Sequence, residues 1–252
     1  MEQPHGGGVA ERVCGASGQP ECGPVLSAPA RLHAAGAAAT AHQGGQPRRA
    51  HGLEKNLETK VAAVQEAHPR AAVEVWAGDE HRIGLKPIRR RVWAPRGQRP
   101  VVRIHPRYRW RYLGAYVHPA SGRTQWHLGS TINVELFSRS LAAFAQQAGA
   151  GPDKELVLVV DQAGWHMSQR VVIPPHVHLM PLPPYTPELQ PAERLWIYSN
   201  TPLINRRPAD LEELDTLQLD RCTALQTDPT LVATIQSATH YHWWPADYSP
   251  IT

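Results

Sequence analysis

Leu53, Leu57, Val61 and Val64 recur at three- and four-residue intervals and predict one apolar helix stripe, which Pro69 closes. The period then changes to two. In VEVWAGDE, residues 73–80, Val73, Val75 and Ala77 share one side of a strand, and Asp79 falls on that side near its end. Further strands are predicted over Pro100–Ile104, Trp110–Val117 and Thr124–Leu128, the last two joined by a turn at HPASG as an antiparallel meander. Phe137, Leu141, Phe144 and Ala148 return to helical spacing, with Asn133 as N-cap and Gly149 and Gly151 as the stop. LVLVV, residues 156–160, is apolar without alternation, as in a strand covered on both faces, and Asp161 follows it directly.

Pro174 to Pro191 contains seven prolines, which leaves room for a short strand around Val177–Met180 and an extended loop. Pro191 suits the first turn of a helix through Glu193, Leu195, Trp196 and Ile197, and 208–226 reads as another helix. Strands, a crossover helix and a buried strand ending in Asp predict an α/β fold with a mixed sheet flanked by helices. The first fifty residues hold nine Gly, eleven Ala and five Pro, with no Phe, Trp, Tyr or Ile. So little apolar area cannot offset the entropy of ordering the chain, so order is expected to begin near Leu53 and residues 1–50 are expected to be disordered.

The net charge of +4 over 252 residues conceals a segregation. From His81 to Val134 there is no Asp or Glu, while Arg82, Lys86, Arg89, Arg90, Arg91, Arg96, Arg99, Arg103, Arg107, Arg109, Arg111 and Arg123 supply twelve positive charges; the remaining residues carry a net charge of −8. Such a block attracts a polyanion, or else forms a solvated face paired with carboxylates elsewhere. The candidates for phosphate contact are Arg89, Arg90, Arg91, Arg107, Arg109 and Arg111, with Trp93, Tyr108, Trp110 and Tyr112 interleaved as stacking surfaces or as core of the meander. No run approaches the roughly 20 apolar residues of a membrane span, so no membrane partner is expected. Cys14, Cys22 and Cys222 lack a zinc spacing and suit a reducing cytosol. The opening residues lack the layout of a secretory signal.

Asp79, Asp161 and Glu193 are the acids set at strand ends or at a following helix start. Each has an ordinary structural alternative: a turn former before His81, an Asx-turn after a strand, and a first-turn acid facing the helix dipole. Brought together they would repel one another, and divalent ions would have to neutralise them; hard oxygen ligands suit Mg²⁺ or Mn²⁺. Two such ions about 4 Å apart can activate a water and stabilise the leaving oxygen of a phosphodiester. His166 could approach such a site or simply pack. His176 and His178 stand two apart in a predicted strand, as do His240 and His242 near the chain's end; zinc would need a further ligand, and no cysteine stands near.

VVDQAGWH (159–166) followed by LPPYTPELQPAERLW (182–196) resembles the second and third catalytic blocks of the bacterial insertion-sequence transposases of the mariner superfamily, the six-thirty insertion-sequence family. WAGDEHRIGLKP (76–87) resembles their first block, and the similarity runs from about Leu53 to Asp247. The resemblance implies an RNase H-like DDE domain over 51–252, with Asp79, Asp161 and Glu193 as catalytic metal ligands for two Mg²⁺ or Mn²⁺ ions. It also implies double-stranded DNA as partner, both transposon ends and target, with insertion near a TA dinucleotide, a homodimer, and a nucleoid-associated protein of the cytoplasm. Gln162 and Gln190 stand where relatives often carry Asn, and 31 residues separate Asp161 from Glu193, a slightly short spacing. Complete members carry helix-turn-helix domains ahead of this region, so residues 1–50 are read as a substituted leader or as the sign of a second reading frame. Three expectations compete: a transposase, a nuclease of the same fold that does not join ends, and a remnant that keeps the basic surface for binding DNA.

Overall fold

A strand with no polar alternation needs cover on both faces, and LVLVV receives it. In the computed structural model, which describes residues 46–92, 95–96, 101, 107–245 and 247, β4 (Lys154–Val160) sends Leu156, Leu158 and Val160 toward helix α2 (Val134–Ala148). Its alternate residues Val157 and Val159 enter the larger core on the other face, beside Leu53, Leu57, Val61 and Val64 of α1 (Gln46–Ala67). All five residues of the run are essentially inaccessible to solvent. At about 25 cal/mol per Å² of buried apolar surface, such a strand contributes several kcal/mol, and it has no face to spare for a polar substitution.

The sheet is mixed and five-stranded, in the order β3-β2-β1-β4-β5. β1 (Ala72–Gly84), β2 (Trp110–His118) and β3 (Arg123–Gly129) form an antiparallel meander. β4 and β5 (Val177–Pro181) continue parallel to β1. Trp76 and Tyr116 face α2, while Val73, Val75 and Ala77 face the opposite core. That larger core is closed by α3 (Trp196–Ser199), α4 (Leu211–Thr227), α5 (Pro229–Thr239) and the buried pair Trp243 and Trp244.

The predicted α2 caps are present: Asn133 Oδ1 accepts from the Leu136 amide at 2.9 Å, and Gly149 ends the helix with a φ of 78°. Four expectations need adjustment. The first helix begins at Gln46, ahead of its apolar stripe. The helix expected from Pro191 is a 3₁₀ turn over Pro191–Leu195 followed by the short α3, with the Gln190 side chain accepting from the Ala192 amide at 3.4 Å. α5 is an additional helix beyond those the pattern predicts, although Asp228 caps it and Pro229 opens it. His176 lies outside β5, in the left-handed region with a φ of 64°. Apart from Val101, which is exposed and in no strand, the strand expected over Pro100–Ile104 lies outside the described residues, as does most of the expected disordered segment, residues 1–45.

The turn between β2 and β3 depends on Gly122, whose φ is 72° and whose amide donates to the His118 carbonyl at 2.8 Å. A Cβ there would collide with the Val232 carbonyl oxygen of α5. Gly122→Ala is therefore expected to destabilise the protein by roughly 2 kcal/mol or more. Urea denaturation checks this, and an unchanged midpoint would show that the turn and α5 can separate without cost.

Candidate active site

Consecutive residues of a strand point to opposite faces, and β1, which runs on to Gly84 rather than ending at the acids as the sequence pattern predicts, carries two acids in succession within it. Asp79 continues the row of Val73, Val75 and Ala77, whereas Glu80 points to the α2 side. β4 lies parallel to β1 with Ala77 opposite Val159. Two residues further along each strand stand Asp79 and Asp161. Glu193 arrives from the 3₁₀ turn packed under that face through Leu189, Ala192 and Leu195. All three acids line one open cavity of about 500 Å³, with Gln162, Ala163, Gln190 and the proline-rich segment from Leu182 to Pro187.

The two glutamines noted as departures both tether this segment. Gln190, almost wholly buried, donates from Nε2 to the Gly78 carbonyl at 3.0 Å and so ties the approach to Glu193 to the strand carrying Asp79. Gln162 donates to the Leu182 carbonyl at 2.8 Å, joining the Asp161 loop to the chain after β5.

The three acids have different electrostatic surroundings. Burial raises the Asp79 carboxyl to about 7, and the negative charges of Glu193, Glu80 and Asp161 add to the effect against one stabilising bond from the Glu80 amide. Burial and the charge of Asp161 also raise Glu193. Asp161 moves the other way, chiefly through its 2.6 Å hydrogen bond with His166, and it also accepts from the Ala163 amide at 3.0 Å. Asp161 is thus held ionised while Asp79 retains a proton more readily.

His166 and Glu80 form a polar pair that sequence reasoning missed. The His166 ring is buried between Phe137 and Trp165, with Nδ1 on Asp161 and Nε2 3.1 Å from a Glu80 oxygen. Trp165 Nε1 also donates to Glu80 at 3.3 Å. Although burial acts against its charge, bonds to both carboxylates raise His166 to about 9. Only the sequence proximity of His166 to Asp161 hinted at this; Glu80 lies on another strand. The imidazolium joins the acids on the two faces and fixes the Asp161 side chain.

The basic candidates divide by their surroundings. Arg89, Arg90, Arg91 and Arg109 are exposed. Arg107 donates to the carbonyls of Pro208 and Ala209, and Arg111 forms a bidentate pair with Asp215 at 2.9–3.0 Å, so both have partners within the chain. A second groove of about 420 Å³ is lined by Arg82, Lys86, Arg107 and Arg109 with Tyr108 and Trp110, and the Arg82 guanidinium lies over the Trp110 ring. Tyr108 is 81% exposed and Trp110 42%, while Tyr112 is half-buried and Trp93 lies outside the described residues.

Removing the His166 ring leaves Glu80 buried without its cation, so His166→Ala should cost about 3 kcal/mol, and adding Glu80→Gln should recover much of it. Strict additivity in this double-mutant cycle would refute the pairing. Because the folded pKa of Asp79 lies above its ordinary value, the folded metal-free protein binds more protons than the unfolded chain from about pH 4 to about 7, and stability falls as pH rises through that window. Asp79→Asn should remove this loss and stabilise the metal-free protein at pH 8 by on the order of 2 kcal/mol. Thermal denaturation in chelator at pH 5 and pH 8 measures it, and equal effects at the two values would contradict the electrostatic account.

Known proteins share this fold. The mixed sheet superposes on the Mos1 mariner paired-end complex with Mn at a TM-score of 0.53 and 18% identity, over 76% of this chain and 60% of that one. The Mos1 strand transfer complex gives 0.51 and 16%, over 78% and 60%. The chain therefore spans about three-fifths of those transposase chains, and it has the RNase H-like fold they share. An uncharacterized protein, y4pE/y4sA of Sinorhizobium fredii (strain NBRC 101917 / NGR234), is 31% identical over 98 residues, which are 39% of this chain and 71% of that protein. The profile of the DDE superfamily endonucleases matches residues 74–215, a span that contains all three cavity acids, and the chain belongs to that family.

Proposed function

We propose that residues 51–252 form the catalytic domain of an insertion-sequence transposase that cuts DNA and joins transposon ends to a target, with Asp79, Asp161 and Glu193 as its metal ligands. The observation that carries the reading is the convergence of these acids, from two parallel strands and a 3₁₀ turn, on one cavity where burial, with their mutual repulsion added, raises Asp79 and Glu193. A site built from hard oxygen donors that disfavour one another's charge fits divalent cations such as Mg²⁺ or Mn²⁺. The similar mariner paired-end complex is one with Mn, which agrees with that chemistry. Two ions, when bound, would supply Lewis-acid activation of the attacking oxygen and stabilisation of the leaving oxygen.

The chain's own residues supply position and charge. His166 keeps Asp161 ionised and correctly turned, and Gln190 holds the Glu193 turn against β1. In the metal-free protein the ionised form of Asp79 becomes dominant only above about pH 7, so metal affinity should rise through neutral pH. The exposed Arg89, Arg90, Arg91 and Arg109, with the basic groove containing Arg82 and Lys86, offer phosphate contacts without reading sequence. Arg107 and Arg111 contribute through the shape of that surface, since their guanidinium groups are engaged with the chain. The similar mariner structures are a paired-end complex and a strand transfer complex, which supports an assembly of two copies on transposon ends and target DNA. No described helix is long and apolar enough to cross a membrane.

Supplying the full chain with pre-cut transposon-end DNA, target DNA and Mg²⁺ or Mn²⁺ should yield joined products. Asp161→Asn and Glu193→Gln should each lower strand transfer on the order of a thousandfold or more without altering the fold. Cleavage without joining would identify a nuclease, and DNA binding without either reaction would identify a binding protein; both results would overturn the transposase reading. Separately, Arg89→Ala with Arg90→Ala should weaken binding to unrelated DNA sequences alike and reduce its salt dependence. A loss confined to one sequence would contradict backbone contact.

A further inference from the structure

At the end of the sheet opposite the cavity, three histidines converge on one carboxylate. Glu155 is the second residue of β4, on the same face as Val157 and Val159, and it is wholly buried. His68 follows the end of α1 and places Nδ1 3.1 Å from Glu155 Oε1. His176 places Nδ1 2.8 Å from the same oxygen, and His178, opposite Val157 in β5, places Nε2 2.8 Å from Oε2. Among the described residues, the ion-pair partners of Glu155 are these imidazoles, with no lysine or arginine; the adjacent Lys154 turns to Glu74 and the Ala148 carbonyl.

We propose that His68, Glu155 and His178 form a zinc site that clips the end of α1 to strands β4 and β5. A wholly buried carboxylate ringed by imidazoles, rather than by lysine or arginine, presents a divalent ion with negative charge and nitrogen donors at one point. Two imidazole nitrogens and one carboxylate oxygen, with water as the fourth donor, are a set that selects zinc over magnesium. Ligand atoms on a tetrahedral zinc lie about 3.3 Å apart, given metal–ligand distances of about 2.0–2.1 Å. The contacts of 2.8–3.1 Å between Glu155 and the imidazoles are close to that separation.

The ligand atoms of His68, Glu155 and His178 already lie within 4.8 Å of one another. His176 lies outside that group and holds Oε1 of the carboxylate from a left-handed backbone conformation, with its carbonyl accepting from the Leu156 amide at 2.9 Å. The rings of His68, His176 and His178 are 40%, 29% and 26% exposed, which leaves a path for an ion to a carboxylate that is itself inaccessible. His240 and His242, the other pair two apart, are exposed and belong to no such group among the described residues.

The test is a titration of the full chain with Zn²⁺ against a chromogenic chelator in excess Mg²⁺, with Co²⁺ as a spectroscopic substitute. About one zinc per chain should bind, Co²⁺ should show the intense visible bands of a tetrahedral site, and zinc should raise the melting temperature. His68→Ala with His178→Ala should weaken this binding by about a hundredfold or more, whereas Asp161→Asn with Glu193→Gln should leave it intact. His68→Gln, checked for folding by circular dichroism, guards against a variant that simply fails to fold. Absence of Mg²⁺-resistant zinc binding in the unsubstituted chain, or zinc affinity indifferent to the histidines, would overturn the site and leave a hydrogen-bonded acid–histidine cluster.

Discussion

The register between β1 and β4 is the constraint on which the rest depends. With Ala77 opposite Val159, Asp79 and Asp161 stand at equivalent positions two residues further along neighbouring parallel strands. A slip of one residue would exchange Asp79 for Glu80 and direct the wrong acid into the cavity. The register is enforced by burial: Val73, Val75, Ala77, Val157 and Val159 enter one core, while Trp76, Leu156, Leu158 and Val160 enter the other. Hydrophobic packing on both faces thus sets the spacing of two carboxylates that would otherwise move apart.

Holding those carboxylates together has an electrostatic cost, and the chain distributes it unevenly. Asp161 is relieved by the His166 imidazolium, whose positive charge is shared with buried Glu80 on the other face. Asp79 has no comparable partner and is pushed toward its protonated form. Glu193 comes from a turn fastened by Gln190 to the carbonyl next to Asp79. The result is a rigid anionic cavity whose repulsion is available to a cation. The groove lined by Arg82, Lys86, Arg107 and Arg109 contains none of the three acids, so among the described residues the charge segregation in the chain becomes a separation between a basic groove and an acidic cavity.

Much of this was legible in the sequence because it depends on local patterns. The alternation ending at Asp79, the unbroken apolar run ending at Asp161 and the caps of α2 are short-range signals with direct structural meaning. The resemblance of three short blocks to a transposase family connected the acids before any geometry was known. The pairing of His166 with Glu80 was not legible, because they stand 86 positions apart in the chain and only the sheet brings them together. The same is true of His68 and Glu155, which turn the spacing of His176 and His178 into a four-residue cluster. The placement of the Glu193 segment also escaped local reading, since the Gln190 tether that holds it reaches the Gly78 carbonyl, 112 positions away in the chain.

Metal-soaked crystals provide the most direct measurement of the central claim. An anomalous difference map from crystals of the full chain soaked in Mn²⁺ should show a strong peak bounded by the carboxylates of Asp79, Asp161 and Glu193, and this peak should disappear in Asp161→Asn. A Mn²⁺-saturated crystal with no peak among these three side chains, or with one that persists unchanged after that substitution, would contradict the account.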